Sequence, residues 1–112
     1  MNVLFLCSMN QWRSPTAEHI YASDQRMTVR SRGTSQKARR TVSEDDLIWA
    51  DVVFAMEDRH RQKIEQQFPD RRNTLPIRVL DIPDDYGFMD PELVAEIRES
   101  VESFLSDQSM AK

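Results

Sequence analysis

The chain has 112 residues, 39% hydrophobic and 30% charged, with a formal net charge of −4 and a mean hydropathy of −0.63. That length suits a single domain, 1–112, and leaves no room for two. No run approaches the ~20 apolar residues of a membrane helix, the first apolar run, Val3-Leu4-Phe5-Leu6, is too short and too early for a signal peptide, and overall acidity argues against general nucleic-acid binding. A cytoplasmic, monomeric protein with no membrane or nucleic-acid partner is expected. The one cysteine, Cys7, excludes an internal disulfide, and with only His19 and His60 beside it no zinc cluster of familiar spacing can be assembled.

In chain order, Asn2 to Cys7 reads as a short buried strand and is followed by a polar loop. Ser14-Pro15 resembles a helix cap with proline at the first helical position, opening a helix to about Ala22. Met27 to Arg30 is a second strand, ended by a turn at Gly33-Thr34. Ser43, with Asp46 three residues on, forms a capping-box pattern for a short helix through Ile48 and Trp49. Asp51 to Met56 is a buried strand, Asp58 to Phe68 a polar helix closed by Pro69, and Ile77 to Leu80 a fourth strand. Asp90-Pro91 opens a last helix, whose Leu93, Val94, Ile97, Val101, Phe104 and Leu105 share one face. This alternation predicts an α/β fold, a three-layer sandwich with a four-stranded parallel sheet flanked by helices. Ligands of such sheets bind at the carboxyl ends of strands.

The loop leaving the first strand therefore draws attention. Cys7 and Arg13 bracket five residues, a spacing that bends a loop around a tetrahedral oxyanion, with backbone N–H groups turned inward and the arginine closing the ring as a bidentate fork. Ser8, Met9, Asn10, Gln11, Trp12, Arg13 and Ser14 are the expected phosphate-binding residues of this phosphate loop after strand 1. The following helix start adds its positive dipole end. The same field stabilises a thiolate, making Cys7 a nucleophile. Ser14 can bond to the sulfur while starting the helix, and Asn10 tolerates the left-handed backbone of a tight cradle. Far down the chain, Ile82-Pro83-Asp84-Asp85-Tyr86 forms a turn after the fourth strand, on the same sheet edge. A carboxylic acid there can protonate a departing oxygen and then deprotonate water to hydrolyse a cysteinyl phosphate.

These residues resemble the low-molecular-weight protein tyrosine phosphatases. The similarity rests on Val3 through Asn10, Arg13-Ser14-Pro15, Ala17-Glu18, Ser31-Arg32-Gly33-Thr34 and Ala50 through Met56, and covers most of a chain shorter than usual members. It implies a metal-free, cofactor-free, two-step hydrolysis: Cys7 attacks phosphorus, Arg13 binds the equatorial oxygens, and an aspartate serves as acid and then base. The family's Asp-Pro-aromatic loop aligns on Asp84-Asp85-Tyr86, which assigns the acid to Asp84, with Asp85 as rival, and a pocket wall to Tyr86. Met9 stands where the family usually has glycine, so a positive φ required there would strain the loop. Trp12 replaces a second loop cysteine, which removes protection of Cys7 by a disulfide.

The expected partner is a phosphorylated protein or a small aryl phosphate, with Trp12 and Tyr86 as aromatic walls, although Trp12 fits equally as a core residue under the loop. The run Arg26, Arg30, Arg32, Lys37, Arg39 and Arg40 is either an attractor of anionic substrate or a solvated basic loop. His19 and His60 read as surface or packing residues. A cysteine phosphocarrier would not need Arg13, an arsenate reductase would need further cysteines, and a non-catalytic phosphate-binding module would not need the aspartate.

Overall fold

The computed structural model describes residues 1–71 and 75–110, with side chains through 107. Four strands, β1 (Asn2–Cys7), β2 (Thr28–Gly33), β3 (Val52–Ala55) and β4 (Ile77–Val79), form one sheet in the order β2-β1-β3-β4. All pairings are parallel. Helices α1 (Arg13–Tyr21), α2 (Glu44–Trp49), α3 (Asp58–Gln67) and α4 (Pro91–Met110) connect or follow them, with a 3-10 turn at Pro69–Arg71. No helix among the described residues is long and apolar enough to cross a membrane.

The period-2 alternation of strands sorts the core into two layers. Val3, Phe5 and Cys7 of β1 face one side with Val52 and Phe54, where they meet Ala17 and Tyr21 of α1 and Leu93, Ile97 and Val101 of α4. Leu4 and Leu6 face the other side with Val53, against Leu47 of α2 and Ile64 of α3. Both faces of β1 are thus covered, which explains a strand of nearly unbroken apolar residues. Phe5 stacks on Phe54 at 5.5 Å between ring centroids. At the far end of α1 the Tyr21 hydroxyl donates to Glu102 of α4 at 2.9 Å, and burial, reinforced by that carboxylate, raises the phenol above its ordinary range.

The start of the first helix differs from the expected one. The first helix begins at Arg13 with Trp12 as its cap, two residues before the expected first helical position at Pro15. Proline is tolerated in the first turn because the leading N–H groups have no intrahelical acceptor. Ser14 is therefore no cap, and its hydroxyl is free for other partners. The second helix is capped as expected: Ser43 Oγ accepts from the Asp46 N–H at 3.3 Å, and Asp46 Oδ2 accepts from the Ser43 N–H at 3.0 Å.

Candidate active site

Parallel pairing brings the carboxyl ends of β1, β3 and β4 to one edge, and the segments leaving them converge there. The loop after β1 is turned inside out relative to a solvated loop. Its carbonyls point away from its centre: Cys7 O accepts from Thr34 N (2.9 Å), Ser8 O from Ser35 N (3.0 Å) and Met9 O from Arg39 N (3.1 Å), while Asn10 O accepts from Arg39 Nε (3.0 Å). Among the described residues, no backbone N–H from Ser8 to Trp12 donates to another protein group. The donors that a phosphate would need are left uncommitted on the inner side.

Asn10 holds this shape. It is fully buried and has φ 57°, the left-handed conformation that asparagine adopts more readily than most residues. The positive φ falls on Asn10 and not on Met9, so the missing glycine introduces no strain at position 9. The Asn10 amide donates to Ser14 Oγ and to Ser31 Oγ, each at 3.0 Å. Ser31 in turn donates to Glu18 at 2.7 Å, and Arg40 Nη2 joins Glu18 (2.8 Å) and Ser31 (2.9 Å). Gly33 lets the end of β2 come this close. A Cβ there would stand 2.4 Å from Ala38 Cβ and 2.6 Å from the Ser8 carbonyl oxygen.

Cys7 Sγ lies 3.0 Å from Ser14 Oγ. Since Ser14 accepts from Asn10, its own proton is available to the sulfur, the nearer partner, or to the Arg32 carbonyl at 3.4 Å. Arg13 is buried, and its Nη1 donates to the Glu57 carboxylate and to the Ile82 carbonyl, the latter at 2.8 Å. Its Nε and Nη2 make no hydrogen bond among the described residues, although Asp84 Oδ1 lies 3.7 Å from Nε. The guanidinium is thus fixed at one corner with a fork left for an anion. Burial opposes ionisation of Glu57, but hydrogen bonds from Arg13 and Arg59 outweigh it and hold the carboxyl below its ordinary range.

Cys7, Ser8, Met9, Gln11, Trp12, Arg13 and Asp84 line one small hollow of about 40 Å³. Asn10 and Ser14 lie beneath it as supports. Asp84 is therefore at the rim, and Asp85 is not among the lining residues. Trp12 is 46% exposed, a rim position and not the core position the sequence left open. Tyr86, expected as a wall, instead packs against the α1/α4 core layer; burial and then the charge of Glu96 push its phenol up. Among the described residues no three His, Cys, Asp or Glu side chains gather to hold a metal ion.

Sequence reasoning missed Glu57 and the role of His60. His60 is buried, and its Nδ1 accepts the Glu57 N–H at 3.0 Å. The ring proton is therefore on Nε2, which donates to Ser8 Oγ at 2.9 Å. Burial, helped by the charges of Arg13 and Arg59, pushes its pKa down to about 4, so the ring is neutral at pH 7. The basic run is also not what either sequence reading described. Arg30 and Arg32 pair with Asp46 (3.2 and 3.1 Å), Arg40 with Glu18 (2.8 Å), and Arg26 with Asp24 and Glu102 (2.7 and 2.8 Å). Four of its six cations are thus engaged in local ion pairs, and Arg39 braces the Asn10 carbonyl.

A parallel sheet ordered β2-β1-β3-β4 with this loop after its first strand is the fold of the low-molecular-weight protein tyrosine phosphatases. Neither a protein-family model nor a curated protein matches the sequence, so the likeness is one of structure. SP-PTP, a low-molecular-weight protein tyrosine phosphatase from Streptococcus pyogenes, is 20% identical with a TM-score of 0.78 over 95% of this chain and 91% of that one. The YwlE arginine phosphatase from Geobacillus stearothermophilus is 21% identical with a TM-score of 0.75 over 99% and 97%. The Drosophila arginine phosphatase DARP is 24% identical with a TM-score of 0.75 over 96% and 98%.

Proposed function

We propose that this chain, as one domain spanning 1–112, is a phosphomonoester hydrolase of the protein tyrosine phosphatase type, acting in the cytoplasm on a phosphorylated protein or a small aryl phosphate through a cysteinyl phosphate. The observation that carries the reading is the convergence on one hollow of the Cys7 sulfur, inward N–H groups, the uncommitted fork of Arg13 and the Asp84 carboxyl. The Cys7 sulfur attacks phosphorus and forms the S–P bond as the P–O bond to the leaving group breaks. Arg13 and the loop N–H groups take up the charge on the equatorial oxygens. Asp84 donates its proton to the leaving oxygen, then accepts one from the water that cleaves the S–P bond and releases phosphate. The exposed Trp12 ring at the rim favours an aromatic leaving group.

The test is release of p-nitrophenolate from p-nitrophenyl phosphate in the presence of EDTA, alongside a phosphotyrosine peptide and phosphoarginine. Metal-independent turnover by the wild type and none by Cys7→Ser is the expected result. Turnover undiminished in Cys7→Ser, or none in the wild type, overturns the reading. Because two of the similar folds are arginine phosphatases, faster turnover of phosphoarginine than of phosphotyrosine would move the substrate from an ester to a phosphoramidate.

A further inference from the structure

A second, partly open cavity, of about 200 Å³, adjoins the hollow over Cys7, lined by Ser8, Thr34 and, from α3, Arg59, His60, Gln62, Lys63 and Gln66. Ser8 lines both, so the two spaces meet at one side chain of the phosphate loop. Among the described residues no acid lines the second one, on a protein whose net charge is −4. The other cations of α3 are engaged: Arg59 pairs with Glu57 at 2.9 Å, and Arg61 with Asp58 and Glu65 at 2.8 and 2.7 Å. Lys63 is exposed and enters no ion pair among the described residues. The Ser8 hydroxyl is also a spare donor. It accepts from His60 Nε2, so its own proton is left to point elsewhere.

We propose that this cavity is a subsite for a carboxylate side chain of the substrate polypeptide, flanking the phosphorylated residue held over Cys7. The inference rests on the phosphatase reading above and narrows its substrate to a phosphoprotein segment with acidic neighbours. Lys63 supplies the countercharge, with Arg59, the Ser8 hydroxyl and the amides of Gln62 and Gln66 as hydrogen-bond donors. Consecutive Cα atoms are about 3.8 Å apart, so adjoining cavities suit residues close in sequence. The cationic cavity also offsets the repulsion that an acidic protein would otherwise exert on an acidic segment.

The experiment compares two phosphotyrosine peptides that differ only in having Asp and Glu, or Asn and Gln, beside the phosphotyrosine. The specificity constant kcat/KM is read from phosphate release by wild type and by Lys63→Glu and Lys63→Ala. Wild type is expected to prefer the acidic peptide about fivefold, the scale of an exposed ion pair, with the preference fading as salt is raised. It should shrink in Lys63→Ala and vanish or reverse in Lys63→Glu, each variant being judged by its own ratio between the peptides. Equal rates on the two peptides in wild type, or an unchanged ratio in Lys63→Glu, overturn the subsite while leaving the phosphatase reading standing. Failure of wild type to hydrolyse either peptide or p-nitrophenyl phosphate overturns the phosphatase reading and the subsite with it.

Discussion

The phosphate loop and the acid turn approach each other across Arg13 and are built in opposite ways. From Cys7 to Asn10 every carbonyl accepts a hydrogen bond, and Asn10, Arg13 and Ser14 are buried. Among the described residues, the stretch around Asp84 is held from its two sides, with Tyr86 packed on the α1/α4 core layer. Ile82 N donates to Met56 O at 2.8 Å, Ile82 O accepts from Arg13, and the Met89 N–H donates to Thr16 Oγ1 at 2.9 Å. Between them Pro83, Asp84 and Asp85 are exposed and make no backbone hydrogen bond among the described residues. An anion cradle works best when its dipoles are in place before charge arrives, whereas an acid serving both steps of the proposed hydrolysis would have to adjust to a leaving group and then to a water. Rigidity and freedom are therefore assigned to different strand ends.

Breaking the exposed side should cost turnover and spare the fold. Asp84→Asn is expected to slow aryl phosphates with poor leaving groups by about 10²- to 10³-fold, with much less effect on good ones, and to change unfolding free energy by less than about 0.5 kcal/mol. A leaving-group series and a urea titration check both halves; if Asp85→Asn produces this pattern instead, the acid is Asp85. On the buried side the cost should move to stability. Gly33→Ala forces a Cβ onto the Ser8 carbonyl and should lose about 3 kcal/mol in the same titration, with activity falling alongside. Stability unchanged by this substitution would show that the loop yields more than its hydrogen bonding suggests.

The smallest effect is one of pH. His60 titrates near 6.5 in the unfolded chain but at about 4 in the fold. Between those values the unfolded state binds the extra proton, so stability falls as pH drops through that window and levels off below it. From pH 7 to pH 5 the wild type should lose about 2 kcal/mol more than His60→Gln. Equal losses would mean that the imidazole is not held neutral against Ser8.

The four strands, their parallel pairing with helices on both faces and the loop from Cys7 to Ser14 were legible in the sequence, because they follow from hydrophobic period, from the alternation of strands and helices, and from Cys7, Arg13 and Asn10 at fixed spacing; the order β2-β1-β3-β4 was not. The turn from Ile82 to Tyr86 was legible because strands that pair in parallel end on one edge, whereas the choice of Asp84 within it came from the family resemblance. The same rule applies to Glu57, two residues beyond the end of β3, but a Glu-Asp pair opening a polar helix reads as a helix start unless its partner is known. His60 was hidden in another way. Among Arg59, Arg61 and Gln62 it looks solvated, and only the packing of α3 against the loop buries it. The basic run was misread because Asp46, Glu18 and Glu102 lie outside it in sequence, and composition cannot pair charges across a fold.

The central place of β1 also bears on how the protein fails. Its residues pair with β2 on one side and β3 on the other, so its amides belong to the part of the molecule that opens only with the whole sheet. Cys7 is the last residue of that strand. On heating, loss of the position of Cys7 should coincide with global unfolding, while the segment carrying Asp84 admits deuterium, and proteases, long before.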